Sequence, residues 1–150
     1  MKVEVATTED AAEIAALGQL LHDTSSYAGI PYNRAKVEAL MQHLTIPGGD
    51  SVVFVVRRNG EIVGGIAGSV SAQWFSDELL GYEYSFFVEP GSRNSGAAVK
   101  LLLAFKSWCT ARGAKKVRIG ITTGIHEELT GKFYRRMGFQ DAGTLFQLEV

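Results

Sequence analysis

The chain has 150 residues, 46% of them hydrophobic, and 15 Lys and Arg stand against 16 Asp and Glu for a net charge of −1. That length can bury a core within one domain, expected over residues 1–150, and that apolar share excludes a disordered chain. The near-neutral balance, with a sequence pI of about 6.3, lacks the basic footprint of a nucleic-acid binder.

Val3 and Val5 alternate with polar residues and predict a short first strand. Thr8 followed by Glu9 and Asp10 reads as a helix start, with acidic side chains in the first turn to meet the positive end of the helix dipole. Ile14, Leu17 and Leu21 give that helix one apolar face. No long apolar run opens the chain, so neither a signal peptide nor a membrane span is expected, and the cytoplasm is the default location. Ser25, Ser26, Gly29 and Pro31 mark residues 22–33 as a loop that carries Tyr27 and Tyr32. A second helix over 34–44 sets Val37, Leu40, Met41 and Leu44 on one side, and the Pro47-Gly-Gly-Asp50 run breaks it.

Residues 52–56 form an unbroken apolar strand, and Asn59-Gly60 is the strongest hairpin signal in the chain. Its partner strand, 61–71, contains Gly64, Gly65 and Gly68, which predict a bulge or close packing. Residues 72–80, with Trp74 and Phe75, read as a connecting segment before a central strand over 81–88. A long helix begins at Ala97. A further strand is expected over 115–123, a helix over 127–137 that ends at Gly138, and a last strand over 144–150. This order gives a mixed α/β sheet flanked by helices. Cys109, the only cysteine, falls at helical spacing with Ala98, Leu102 and Phe105 and reads as a core thiol. His22, His43 and His126 show no ligand spacing, so no metal site is expected.

The stretch from Ser85 to Ala104 carries the chemistry. Phe86, Phe87 and Val88 are strand formers, Pro90 and Gly91 stop the strand, and Arg93, Gly96 and Ala98 follow as R-x-x-G-x-A before the helix. A loop of this kind turns free backbone N–H groups outward at a helix start, where the dipole adds positive potential. Small residues let an anion such as a pyrophosphate approach the backbone. The pattern V-x-P-x-x-R-x-x-G-x-A after a strand resembles the acyl-CoA loop of the GCN5-related N-acetyltransferases, the GNAT superfamily. Asn94 stands where that family commonly has its first glycine. A second motif, Lys132-Phe-Tyr-Arg-Arg-Met-Gly-Phe139, is similar to the family's F-Y-x-x-x-G-F signature and lies at the expected distance. Together the two motifs extend the resemblance over essentially the whole chain.

The resemblance implies a mostly antiparallel sheet whose central strands splay apart around acyl-CoA. It implies that the backbone of Phe86, Phe87 and Val88 holds the pantetheine arm and thioester. Arg93, Asn94, Ser95, Gly96, Ala97 and Ala98 would then hold the pyrophosphate. As side chains, Phe86 and Phe87 read as core, and Arg93 as a loop charge or a phosphate contact. Acyl transfer to an amine needs a base for the amine, donors for the oxyanion and an acid for the departing thiolate. Tyr134 matches the family's acid position, against the plainer reading of a packed tyrosine. For the base, Glu83 is the candidate, acting directly or through water, against the reading of a half-exposed strand carboxylate; alternation places it on the face of Ser85 and Phe87. Where the family often has an asparagine, at the start of the last helix, this chain has His126 or Glu127. Tyr27, Tyr32 and Trp74 are candidates for the wall of an acceptor pocket.

The expected function is transfer of an acetyl group from acetyl-CoA to a primary amine, on a small molecule or a protein, by direct attack. The alternatives are an acyl-CoA-binding regulatory module without turnover and a structural domain without cofactor. The family usually closes its sheet with two strands after the last helix. This chain has one clear strand there and a short piece near Phe139, so the expectation is either a shortened edge or an edge completed by a second subunit in a homodimer.

Overall fold

The computed structural model describes residues 1–150. In chain order the elements are β1 (Val3–Val5), a 3-10 turn (Thr8–Asp10), α1 (Ala11–His22), α2 (Arg34–Leu44), β2 (Ser51–Arg58), β3 (Glu61–Gln73) and β4 (Ser76–Val88). A second 3-10 turn (Pro90–Ser92) leads to α3 (Ala97–Ala111), β5 (Lys116–Arg118) and α4 (Glu127–Arg136). The strands lie in the sheet in their chain order. The first four pair antiparallel, and β5 joins β4 in parallel. A parallel neighbour needs a crossover, and α3 supplies it.

Local chemistry accounts for most boundaries. Asn59 and Gly60 take φ of 52° and 85°, the paired positive values of a type I′ turn, and so join β2 to β3. The Asn33 side chain caps α2 by accepting the Lys36 N–H at 3.0 Å. Thr7 N–H donates to Asp10 Oδ2 at 2.9 Å, which holds the tight first turn ahead of α1. The sheet is covered on both faces. On one, Ala11, Ile14, Met41 and Leu44 of α1 and α2 bury Val53, Val55, Ile62 and Ala67. On the other, Leu101, Leu102, Phe105 and Cys109 of α3 meet Val52, Phe54, Val56 and Val63. Burial on both faces is why β2 reads as a continuous apolar run.

Three expectations need correction. The segment 72–80 is not a connection. Gln73 pairs with Ser76, so β3 and β4 run to a tip where Trp74 and Phe75 alone make the turn. The strand expected over 115–123 is confined to Lys116–Arg118. The last strand, 144–150, does not form: those residues pair with nothing, and Leu145, Phe146, Leu148 and Val150 are exposed. A strand needs a partner edge as well as strand-forming residues. The segment leaves α4 at an ion pair in which Arg135 Nε and Nη2 each donate to Asp141 at 3.0 Å.

Candidate active site

One residue too many in β4 sets the geometry of the site. Ala67 pairs with Ser85 and Gly68 with Glu83, which leaves Tyr84 as the extra residue of a bulge. Gly68 permits it: a Cβ there would run into the Phe105 ring and the Tyr82 carbonyl. The bulge resets the alternation of side chains. Before it, Gly81 lies against Cys109 of α3; after it, Phe86 stacks on Tyr134 and Val88 joins the α3-side core. Tyr84, Ser85 and Phe87 face α1 and α2 instead, beside Ile14 and Met41. Glu83 therefore shares its face with Phe86 and Tyr134, not with Ser85 and Phe87 as simple alternation requires.

Strands β4 and β5 part at the same place. Their pairing covers only Leu80–Tyr82 against Lys116–Arg118. Beyond it, the Glu83 carboxylate replaces the ladder, with Oε1 accepting the Gly120 N–H at 2.9 Å. The Tyr134 hydroxyl points at the carbonyl of the same residue, 3.5 Å away. Glu83 and Tyr134 thus converge on Gly120. Beyond this point Phe86, Phe87 and Val88 pair with Ile66, Gly65 and Gly64 of β3 along one edge, and no strand occupies the other.

The electrostatics of the two groups differ. Burial raises the pKa of the Glu83 carboxyl above the ordinary glutamate value, with the Gly120 N–H pulling it back. Burial also pushes the Tyr134 phenol well up, and the negative charge of Glu83 adds to that shift. Tyr134 therefore keeps its proton at any ordinary pH. Its ring is gripped by Phe86, Phe133 and Phe139, with centroids 6.4, 5.7 and 5.9 Å away.

The loop after β4 is tied down from within. Arg93 Nε donates to the Val88 carbonyl at 3.2 Å, and the fully buried Ser92 donates to Glu89 Oε1 at 2.8 Å. Ser95 Oγ donates to the Ser92 carbonyl and accepts the Ala97 N–H at 3.4 Å. Arg93, Asn94, Ser95 and Gly96 are exposed, Ala97 is buried and Ala98 half-buried. Gly96 takes φ of 81°, and a Cβ there would project into open space. With no side chain at that point, the backbone stays open to approach. The first bond of the α3 ladder runs from Lys100 N–H to the Gly96 carbonyl. The N–H groups of Ala98 and Val99 have no partner in the helix, so this end of α3 suits an anion.

The opposite face of β4 carries a cavity of about 230 Å³, open beside Ser85. Of the three aromatic residues expected to wall an acceptor pocket, Tyr32 lines this cavity; Tyr27 and Trp74 do not. Trp74 is 96% exposed at the hairpin tip. Seven residues of strand, roughly 23 Å, separate Glu83 from Ser76 at the base of that tip. The loop before α2 docks on the connection after β5: Ser26 N–H donates to the Thr123 carbonyl and Ser26 Oγ to the Thr122 carbonyl, both at 2.7 Å. His126 caps α4 with φ of 47°, and Glu127 is the first residue of that helix.

Two participants escape a reading of the sequence. Gly120 could have been noticed, because it sits in the gap of the Val117, Ile119 and Ile121 alternation. The bulge at Tyr84 leaves no mark within β4 itself; its one sign is Gly68, sixteen positions earlier on β3, where the close packing expected of that strand's glycines is found against Phe105 and the Tyr82 carbonyl.

A model of the acetyltransferase (GNAT) family matches residues 17–139. The chain belongs to the GNAT family. No curated protein shows significant sequence similarity to it. Among solved structures, this GNAT chain is similar to an aminoglycoside acetyltransferase, HMB0005, from an uncultured soil metagenomic sample. The identity is 23% and the TM-score 0.73, over 100% of this chain and 99% of that one. It is also similar to AAC(6')-Iy in complex with the bisubstrate analogue CoA-S-monomethyl-acetylneamine, at 16% identity and a TM-score of 0.78, over 99% and 97% of the two chains. A third is the ribosomal-protein-alanine N-acetyltransferase of Brucella melitensis biovar Abortus 2308, at 17% identity and a TM-score of 0.71, over 100% of both. At these identities the likeness speaks for the fold: a five-stranded, mostly antiparallel sheet with four helices, as in GNAT acetyltransferases.

Proposed function

We propose that this GNAT protein is an acetyl-CoA-dependent N-acetyltransferase that acylates a primary amine by direct attack. The observation that carries the reading is the convergence of Glu83 and Tyr134 on Gly120, where β4 and β5 part. The fit to the cofactor rests on two features. One is the strandless edge of β4 at Phe86, Phe87 and Val88, which suits an extended amide-bearing arm. The other is the exposed turn of Arg93, Asn94, Ser95 and Gly96 leading into Ala97 and Ala98, where the N–H groups of Ala98 and Val99, outside the helix ladder, suit a pyrophosphate. When bound, acetyl-CoA supplies an acetyl group on a thioester, and its sulfur departs as a thiol.

The side chains divide the proton work. Glu83 accepts the amine proton, directly or through water, and its raised pKa makes it a stronger base than an exposed glutamate. Tyr134 holds a proton on its phenolic oxygen for the departing sulfur. Cys109 supports a route without a covalent enzyme intermediate: it is fully buried under Gly81, and burial pushes its thiol up to about 11.

The test is amine-dependent release of free thiol from acetyl-CoA across a panel of primary amines, with native mass spectrometry for bound CoA. The acyl-CoA-binding module is the second reading, favoured by His126 and Glu127 at the position where the family often has asparagine. Binding of acetyl-CoA with no thiol release for any amine would select it. No helix is long and apolar enough to cross a membrane, and we place the protein in the cytoplasm. We also propose a homodimer in which residues 144–150, unpaired here with Leu145, Phe146, Leu148 and Val150 exposed, add a strand to a second copy.

A further inference from the structure

The cavity on the α1 and α2 face of β4 is walled by Ile14, Val37, Met41, Val53, Val55 and Phe87. No acidic, basic or histidine side chain lines it. Its polar groups are few and occupied. The Tyr32 hydroxyl donates to the Ala15 carbonyl at 2.9 Å, and Tyr84 Oη meets Ser69 Oγ at 3.0 Å and Tyr82 Oη at 3.2 Å. Only Ser85, at the mouth, makes no side-chain hydrogen bond, and it is exposed to solvent. An ammonium group inside would lose its water and find no carboxylate, which is strongly unfavourable. An apolar group would lose nothing and remove its surface from water.

We infer that this cavity receives the apolar group of the acceptor, so that the substrate is a primary amine bearing one compact aliphatic or aromatic group rather than a polycation. The inference rests on the acetyltransferase reading above. The apolar group enters past Ser85 and Tyr84, and the amine stays at the mouth, beside the open edge of β4. The acyl-CoA loop and Tyr134 belong to the other face, so the two substrates meet across the strand. Size limits the class. An apolar cavity of about 150 Å³ holds benzene, and 230 Å³ accommodates a phenyl ring with a short linker or a chain of about six carbons.

The experiment uses the full chain with n-alkylamines from ethylamine to octylamine, phenethylamine, and an aminoglycoside as the polycation. Two quantities are read: kcat/KM by thiol release from acetyl-CoA, and amine affinity by calorimetry, which needs no turnover. Both should rise roughly three- to fourfold per methylene until the cavity is full, then level off, with the aminoglycoside a poor ligand and substrate. Val37→Phe, which fills the cavity from α2, should shift the best chain length downward and leave acetyl-CoA affinity unchanged. Leu40→Gln changes a rim residue that is 44% exposed and should fold regardless, while reducing the gain per methylene.

Amine kcat/KM and affinity independent of chain length, or highest for the polycation, would overturn the inference and leave the acetyltransferase reading intact. Sensitivity to the acyl chain of butyryl- and hexanoyl-CoA in place of the amine chain would also overturn it, by giving the cavity to the donor. Chain-length-dependent amine binding without any thiol release would uphold the cavity and overturn the enzyme reading.

Discussion

Tyr134→Phe separates catalysis from packing, because the structure holds the ring and the hydroxyl by different means. The ring rests against Phe86, Phe133 and Phe139, and phenylalanine keeps those contacts. The hydroxyl reaches only the Gly120 carbonyl, at the long limit of a hydrogen bond. Its loss should cost at most ~1 kcal/mol of stability, which lowers Tm by about 2–4 °C in a domain of this size. A proton delivered in the transition state is worth ~10²–10⁴-fold in rate, and water can replace part of it, so kcat should fall by at least ~10-fold. Acetyl-CoA affinity by calorimetry should barely change, because in the proposed reaction the hydroxyl serves the departing sulfur. The raised pKa adds a second signature. Wild-type kcat should show no decline near pH 10, where a free tyrosine loses its proton. The same shift makes Tyr134 a source of stability present below its unfolded pKa and lost only at more alkaline pH, a loss the phenylalanine variant escapes. The assay is continuous thiol release at saturating acetyl-CoA with the best amine. Turnover within threefold of wild type would refute the acid role, and a fall in Tm far beyond 4 °C would make Tyr134 a packing residue first.

Gly96→Val places a β-branched side chain at φ of 81°, a strain of ~1–2 kcal/mol, in open space where nothing clashes. The variant should fold and bind acetyl-CoA more than ~10-fold more weakly by calorimetry; unchanged affinity would remove this loop from the binding site. Glu83→Gln keeps an oxygen for the Gly120 N–H but no base, so kcat/KM should fall by ~10²-fold. Because the folded pKa of Glu83 is raised, its stabilising contribution is present below the usual glutamate pKa and lost as pH rises through the folded value. The Gln variant should therefore gain Tm relative to wild type at pH 8 and not at pH 4, and the reverse order would contradict the buried carboxylate. Deleting residues 144–150 should convert a dimer to a monomer in size-exclusion chromatography with light scattering, whereas an unchanged oligomeric state would end the strand-addition proposal.

The features legible in the sequence are those decided within a few residues. Asn59-Gly60 specifies its turn because only such residues take two successive positive φ values cheaply, and Asn33 caps α2 three residues from its partner. The R-x-x-G-x-A loop likewise declares a helix start with bare backbone, and Gly96 adopts the left-handed conformation that glycine favours. Tertiary structure decided what depends on partners far along the chain. Glu83 faces Tyr134 because Tyr84 is extra against Ala67 and Gly68, and that register is tolerated only because Gly68 leaves room for Phe105 of α3. Strand β5 stops at Arg118, and two residues further on the Glu83 side chain, not the β4 backbone, takes the Gly120 N–H. Residues 144–150 have the composition of a strand, but strand propensity is a readiness to pair, and no edge in this copy meets them.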